Sequence, residues 1–246
     1  MNKLKDKIFV VTGGSGLLGK SIITKITNEG GFAINADIIH ETNLNEGLVK
    51  CDVTNLFSIK IAISEILDRF GKIDGWVNNA YPRTKDWGDR FEDIKCSSWS
   101  ANIEMQLNSV FFCCQEILTT MKVQKFGSIV NIASIYGIVG PDFSIYEGTN
   151  MTMPAAYSAI KGGVINFTRY LASYYGSYQI RINCVSPGGI FDNQESSFVS
   201  KYEEKVPLKR MGLPEEISPT IVFLLGSESS YITGQNIIID GGFTCI

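Results

Sequence analysis

The chain has 246 residues, of which 44% are hydrophobic, enough for one large α/β domain with a buried core rather than for a disordered chain. Its net charge of -3 and its pI of about 5.3 argue against a nucleic-acid groove, which requires a basic stripe on the surface. The basic cluster from Lys201 to Arg210 is interrupted by Glu203 and Glu204, so we interpret it as a solvated face.

The cysteines do not indicate a metal site, and the N-terminal segment does not indicate export. The six cysteines include no Cys-x-x-Cys pair and have no metal-like spacing relative to the single histidine, His40. The charged segment Met1 to Lys7 leads directly into Ile8 to Val11, a run too short for a signal sequence or a membrane span. We therefore expect a cytoplasmic protein with no metal ion and with no nucleic-acid or membrane partner.

The first predicted element is a strand from Ile8 to Val11, a β-branched and aromatic run typical of strands buried on both faces. A glycine-rich turn follows and leads into a helical pattern from Leu17 to Asn28. This order is typical of a dinucleotide-phosphate cradle, because glycines let the backbone approach a pyrophosphate and the helix N-terminus offers free N–H groups. The alternative is an ordinary tight turn. The candidate cofactor-binding residues here are Gly13, Ser15, Gly16, Leu17, Leu18 and Gly19.

A second predicted strand, Phe32 to Ala36, ends at Asp37. An acidic residue at this place can accept hydrogen bonds from both ribose hydroxyls of NAD and would repel the 2′-phosphate of NADP. The sequence therefore favours NAD over NADP. The alternative is an ordinary loop aspartate.

Later segments continue the alternation of strands and helices. Thr54 or Asn55 is expected to cap the helix that runs to Arg69, and Ser98 to Gln124 reads as one long helical segment. The other predicted elements are strands at Leu48–Cys51, Ile73–Val77, Gly127–Ala133, Ile180–Val185 and Gln235–Ile239, and helices at Ala155–Tyr175 and Glu215–Leu225.

This order predicts a single α/β domain over residues 1–246, doubly wound, with about seven parallel strands and helices on both faces. Ligands bind such sheets at the carboxyl ends of the strands. Asp37, Asp52, Asn78 and Ser134 would all lie at that edge.

Tyr157 and Lys161 are four positions apart and share one face of a predicted helix, so a phenol and an ammonium can reach a common point. A neighbouring positive charge favours the ionised phenol, which makes its proton easier to transfer. Tyr81 and Lys85 have the same interval, but Pro82 disfavours a helical backbone at Tyr81. Only the first pair is expected on a rigid helix.

These residues resemble the short-chain dehydrogenase/reductase family, which has a Rossmann fold, and the resemblance covers nearly the whole chain. Each motif is modest alone, but their order and spacing together are specific. The matching motifs are the glycine turn, Asp52-Val53, Asn78-Asn79-Ala80, Asn108, Ser134, Tyr157 with Lys161, Arg181-Ile182-Asn183, Pro187-Gly188, Gly234-Gln235 and Asp240-Gly241-Gly242.

The resemblance implies a role for each matching residue. Tyr157 would be the general acid/base, and Lys161 would lower its pKa and hold the nicotinamide ribose. Ser134 would hydrogen-bond the reacting oxygen, and Asn108 would position a water that links Lys161 to solvent. Asp52 would bind the adenine, with further cofactor contacts from Val53, Asn78, Asn79, Ala80, Pro187, Gly188 and Ile190. For Asn108 and Ser134, a structural role in the backbone is the alternative.

Four features depart from the family pattern. The glycines at 13, 16 and 19 have a spacing more typical of longer, extended members, Tyr81 stands where glycine is usual, and Asp192 stands where threonine is common. The interval from Ser134 to Tyr157 is also longer than in many members. The added loop, with Pro141, Asp142, Tyr146, Glu147, Thr149 and Asn150, could shape a hydrogen-bonding pocket or could be a surface elaboration or subunit contact.

The added loop looks most like members from bacterial surface-sugar and flagellin-glycan pathways. The resemblance thus implies an NAD(H)-dependent oxidoreductase that interconverts a secondary alcohol and a ketone on a polar, sugar-derived small molecule. The alternatives are a 3-oxoacyl-thioester reductase and a non-catalytic NAD-binding scaffold or sensor. Apolar helix faces at Val110 to Met121 and Val164 to Leu171 suggest a homodimer or homotetramer.

Overall fold

A computed structural model describes residues 3–246 and contains a parallel sheet of seven strands in the order β3-β2-β1-β4-β5-β6-β7. Each predicted strand is present, with bounds that shift by a few residues at most, and the predicted doubly wound parallel sheet is confirmed. The strands are β1 Ile8–Thr12, β2 Phe32–Asp37, β3 Leu48–Lys50, β4 Gly75–Asn78, β5 Gly127–Ile132, β6 Ile180–Pro187 and β7 Asn236–Ile239.

Helices cover both faces of the sheet, because side chains alternate between the two faces along each strand. Ile8 and Val10 of β1 belong to one apolar core, whereas Phe9 and Val11 belong to the other. The helices are α1 Leu17–Asn28, α2 Leu56–Phe70, α3 Cys96–Ile103, α4 Ser109–Gln124, α5 Ala155–Tyr175, α6 Ser196–Lys205 and α7 Pro214–Leu225. The first core includes side chains of α2, α4 and α5, and the second includes those of α1 and α7.

The prediction of one continuous helix from Ser98 to Gln124 was wrong in one respect. A π-helical turn, Glu104–Asn108, separates α3 from α4. Such a turn inserts an extra residue into the helical repeat, so the apolar face shifts without a proline or glycine to mark the change. The short helix α6 was also missed.

The carboxyl ends of the strands lie along one edge of the sheet. The chain runs outward from β1 through β2 to β3, then returns to place β4 on the other side of β1. The strand order therefore reverses between β1 and β4, and open α/β sheets bind ligands at such a reversal. Among residues 3–246, no helix is long and apolar enough to cross a membrane.

Candidate active site

A cavity of about 430 Å³ opens beside the carboxyl ends of the strands. It gathers predicted site residues from five separate segments of the chain: Leu17, Leu18, Asn79, Ser134, Tyr157, Lys161, Pro187, Gly188 and Ile190. Its other lining residues include Tyr81, Tyr136, Met153, Pro154, Gly189, Asp192 and Gln194. The predicted residues outside this lining are Gly13, Ser15, Gly16, Gly19, Asp37, Asp52, Val53, Asn78, Ala80 and Asn108.

The glycine turn packs so closely against neighbouring backbone that side chains are excluded. Gly13 has a φ of +62°, and a Cβ there would lie 2.8 Å from Cα of Ala80. A Cβ on Gly19 would lie 2.7 Å from Cα of Gly14. Helix α1 begins directly after Gly16, which has no side chain to bond its first N–H groups. The turn therefore offers free backbone donors of the kind that bind a phosphate.

Asn79 and Ala80 hold the glycine turn from the end of β4. The Thr12 hydroxyl accepts hydrogen bonds from the backbone N–H of Asn79 at 3.0 Å and of Ala80 at 3.1 Å. The Asn79 side-chain amide donates to the carbonyls of Thr12 and Gly13, both at 3.0 Å. These bonds fix the turn relative to the cavity. Asn78 points into the core instead, where its amide bonds Asn131 at 2.8 Å.

Asp37 lies against the glycine turn at the end of β2. Its carboxylate accepts a hydrogen bond from the Ser15 N–H at 3.2 Å. The Ser15 hydroxyl bonds the His40 ring at 2.9 Å and accepts from the Asn35 amide at 2.9 Å. A carboxylate here places a negative charge beside the turn. His40, which sequence reasoning used only to argue against a metal site, thus joins this network.

The other acidic candidate, Asp52, serves a local turn in the structure. One of its carboxylate oxygens accepts from the Thr54 N–H at 2.9 Å and from the Thr54 hydroxyl at 2.7 Å. The Val53 side chain is buried in the core beside α2. Among residues 3–246, no group of three histidine, cysteine or acidic side chains is arranged to hold a metal ion.

Ser134, Tyr157 and Lys161 meet in the cavity from β5 and α5. Helix α5 begins after Pro154, which places Tyr157 in the first turn and Lys161 one turn later on the same face. The Lys161 ammonium donates to the Ile132 carbonyl at 2.8 Å and lies 5.4 Å from the centre of the Tyr157 ring. The Ser134 hydroxyl is buried and accepts the Tyr136 N–H at 3.2 Å.

Burial determines the ionisation of this pair. It raises the pKa of Tyr157, and the Ser134 hydroxyl opposes that rise by hydrogen bonding. It lowers the pKa of Lys161 to about 8. A charged lysine alone would lower the tyrosine pKa, but removal of both groups from water is the larger effect here. Lys161 can therefore release or take up a proton close to neutral pH.

Asn108 ends the π-helical turn, and its side-chain amide donates to the Glu104 carboxylate. It does not line the cavity. Its proposed part in proton transfer stays a prediction, since the observed hydrogen bond is also what a purely structural asparagine would make.

The added loop meets the cavity only at its two ends. Tyr136, Met153 and Pro154 line the cavity, whereas the loop's central residues bury Ile145 and Tyr146 against α6. Asp142 pairs with Lys205 of α6 at 2.9 Å. The structure thus favours a surface elaboration over a polar pocket, because Asp142, Ser144 and Thr149 bond within the loop or to α6.

Tyr81, which the sequence analysis did not select as a site residue, lines the cavity. The expectation of a non-helical backbone at Tyr81 was right, and Lys85 is exposed. The Tyr81 side chain nevertheless packs edge-on against Tyr157, with ring centres 5.7 Å apart. Trp87, which no sequence argument selected, contacts both rings. The one sequence signal for this contact was the presence of tyrosine at position 81, where the family usually has glycine.

Comparisons with known proteins agree with this geometry. A family profile described as enoyl-(acyl carrier protein) reductase matches residues 20–244. Post-translational flagellin modification protein A of Campylobacter coli is 35% identical, over 98% of this chain and 99% of the relative. The 3-oxoacyl-(acyl-carrier-protein) reductase of Thermotoga maritima is 36% identical, over 98% of each chain.

Solved structures show the same likeness. The crystal structure of a short chain dehydrogenase from Leptospira borgpetersenii with bound NAD+ has a TM-score of 0.89 and 34% identity, over 98% of this chain and 94% of that chain. The resemblance to flagellin-modification members of the family is thereby confirmed. Since both the profile and these relatives span most of the sequence, the chain belongs to the short-chain dehydrogenase/reductase family.

Proposed function

We propose that the protein is an NAD(H)-dependent oxidoreductase that interconverts a secondary alcohol and a ketone on a polar, sugar-derived substrate. The observation that carries this proposal is the meeting of Ser134, Tyr157 and Lys161 in one cavity beside a glycine turn. A bound nicotinamide would supply or accept the hydride. The chain's own residues would hold the substrate and move one proton.

In the reducing direction, the carbonyl carbon gains a hydride and the Tyr157 hydroxyl donates its proton to the carbonyl oxygen. In the oxidising direction, the Tyr157 oxygen takes the hydroxyl proton back. The Ser134 hydroxyl would hydrogen-bond the reacting oxygen from the other side. Lys161 can return a proton to the phenol because its pKa is about 8, close to the working pH of such a reaction.

The glycine turn and Asp37 support NAD as the cofactor. The free N–H groups at the start of α1 suit a pyrophosphate, and Asp37 adds a carboxylate beside the turn. The Leptospira relative was solved with NAD+ bound. A 2′-phosphate would be repelled by the carboxylate, so we expect NADH to bind more tightly than NADPH.

Fluorescence titration of both cofactors tests this choice. The wild-type protein should bind NADH at least about tenfold more tightly than NADPH, and Asp37→Ala should reduce that ratio by a similar factor. Asp68→Ala, which removes an exposed carboxylate from α2, is the control. If the wild type bound NADPH as tightly as NADH or more tightly, the proposed role of Asp37 in selecting NAD would be contradicted.

The name of the flagellin-modification relative fits the resemblance to flagellin-glycan members of the family, and that resemblance implies a polar, sugar-derived substrate. The second candidate substrate is a 3-oxoacyl thioester. It is supported by the Thermotoga relative, which is named a 3-oxoacyl-(acyl-carrier-protein) reductase and is 36% identical. The net charge of -3 does not suit the basic docking surface that this chemistry usually uses, and Asp37 argues against NADPH. We therefore rank the sugar-derived class first.

A substrate panel decides between these classes. Sugar phosphates, nucleotide-activated sugars, sugar acids and a 3-oxoacyl thioester would be screened by NADH absorbance. Tyr157→Phe should lose at least about a hundredfold in turnover with any substrate found, since proton transfer contributes roughly 10²- to 10⁴-fold. Full turnover by Tyr157→Phe would contradict the proposed role. Tight NADH binding with no turnover of any panel member would favour the scaffold alternative.

A further inference from the structure

Two aromatic rings, Tyr81 and Trp87, lie on one side of the proposed acid/base pair of Tyr157 and Lys161. The Tyr81 ring lies 5.7 Å from Tyr157, and the Trp87 ring lies 5.8 Å from Tyr81 and 6.1 Å from Tyr157. All three pairs meet edge-on at 81° to 83°, an arrangement that the charge distribution of aromatic rings favours. We call Tyr81 and Trp87 the aromatic wall.

The aromatic wall is fixed to α3 and is not a free loop. The Thr84 N–H donates to the Asn102 side chain at 3.2 Å, and the Asn102 amide donates to the Thr84 hydroxyl at 2.9 Å. The Ser98 hydroxyl donates to the Asp86 carboxylate at 2.7 Å. Ser98 and Asn102 are both buried, and Trp87 packs on the apolar residues next to α5. The segment that carries both rings is therefore held in one conformation.

The Lys161 ammonium lies between two of the rings. Its nitrogen is 5.6 Å from the centre of Tyr81 and 5.4 Å from the centre of Tyr157, within the range of a cation–π contact. A glycine at position 81, as is usual in the family, would leave one side of the ammonium without a ring. The tyrosine thus contacts both members of the proton-transfer pair.

We propose that Tyr81 is a positioning residue for proton transfer: its ring, braced by Trp87, holds the Tyr157 phenol and the Lys161 ammonium in place and keeps water from them. This inference rests on the proposed function, in which Tyr157 exchanges a proton with the substrate. Without the ring, the phenol can move and the reactive geometry is populated less often. The loss should appear in kcat and not in cofactor binding.

Several charged or titratable groups lie around the Tyr81 ring and the cavity. Arg83 lies 5.6 Å from the Tyr81 ring, and Tyr136 and Asp192 line the cavity from the segments after β5 and β6. Burial lowers the pKa of Lys161 to about 8. Removal of the Tyr81 ring admits water and should therefore raise the pKa of Lys161 toward its ordinary value.

Kinetics of Tyr81→Ala and Tyr81→Phe test the proposal, with Tyr231→Ala at a fully exposed tyrosine as the control. Tyr81→Ala should lose about tenfold or more in kcat, because small displacements of a reacting group are costly, while its NADH affinity is unchanged. Tyr81→Phe, which keeps the ring, should retain kcat within about threefold of the wild type. Wild-type kcat in Tyr81→Ala, or an equal loss in both variants, would overturn the proposal.

A second measurement needs no substrate, so it tests the proposal even if the substrate panel identifies no substrate. The pKa of Lys161 would be read by ¹³C NMR of labelled lysine, with the signal assigned through Lys161→Arg. Tyr81→Ala should raise this pKa by about one unit, and Tyr81→Phe should leave it unchanged. An unchanged value in Tyr81→Ala would overturn the proposal.

If Tyr157→Phe is inactive but Tyr81→Ala turns over normally, only this inference fails, whereas an active Tyr157→Phe removes the proposed function itself.

Discussion

Lys161 is a half-buried cation whose ammonium bonds a backbone carbonyl rather than a carboxylate. Its ammonium bonds the Ile132 oxygen at 2.8 Å, and burial lowers its pKa from 10.5 to about 8. The folded state therefore binds this proton more weakly than the unfolded state does. By linkage, the free energy of unfolding increases as the pH rises from about 8 toward 10.5, because Lys161 loses its proton in the folded state before it does in the unfolded state.

A comparison of the wild type with Lys161→Met tests this sign. The free energy of unfolding of the wild type, relative to the variant, should rise by up to about 3 kcal/mol between about pH 7.5 and about pH 10. Urea denaturation at several pH values measures it, and other titrating groups cancel because both proteins share them. Parallel stability curves would mean that Lys161 keeps an ordinary pKa.

Helix α2 shows how a single polar residue sets the start of an element. Asn55 was one of two capping residues expected from sequence, and its side chain accepts the N–H groups of Phe57 at 2.9 Å and Ser58 at 3.2 Å. Gly71 ends the helix in the left-handed conformation, with a φ of 73°. Ile59 and Ile66 are fully buried on its inner face. The cap thus sets where α2 begins, and the spacing of these isoleucines sets which face of the helix packs on the sheet.

Asn55→Ala should lower the free energy of unfolding by about 1 kcal/mol, because two N–H groups at the start of α2 lose their acceptor. Asn28→Ala, at the exposed end of α1, is the matched control and should change stability by less than about 0.5 kcal/mol. Urea denaturation measures both. A loss in Asn28→Ala as large as that in Asn55→Ala would show that the effect is not capping.

At the scale of the whole molecule, one outer surface is rich in aromatic rings. The predicted apolar faces of α4 and α5 mostly pack inward, as Ile117 and Leu171 do. Aromatic side chains are exposed there instead: Tyr170 and Tyr174 are 62% and 59% exposed, and their rings stack 6.1 Å apart. Exposed aromatic surface of this kind is typical of protein interfaces. We therefore keep the prediction of a homodimer or homotetramer, and we place its contact on this surface.

Tyr170→Glu should reduce the oligomer to smaller species, because a charge would have to be buried in the contact. Light scattering with size-exclusion chromatography measures the mass. Tyr231→Glu, at a fully exposed tyrosine elsewhere, should leave the assembly intact. A monomeric wild type would end this prediction.

Several features of the protein could be read from the sequence because they depend on local patterns. Helix α1 was predicted with its observed bounds, Leu17–Asn28, since the glycine turn and the helical spacing of apolar residues are both local signals. Helix α5 was likewise predicted at Ala155–Tyr175, and its periodicity correctly put Tyr157 and Lys161 on one face. The family followed from motif order alone and is now shown.

Other features depend on contacts between distant segments, so only the tertiary structure decided them. The π-helical turn at Glu104–Asn108 leaves no sequence signal. The added loop turned toward α6 because Ile145 and Tyr146 bury themselves there. Pro82 correctly predicted a non-helical backbone, but it could not reveal the direction of the Tyr81 side chain. That direction follows from packing against Tyr157, 76 positions later in the sequence, and local propensity carries no information about such a contact.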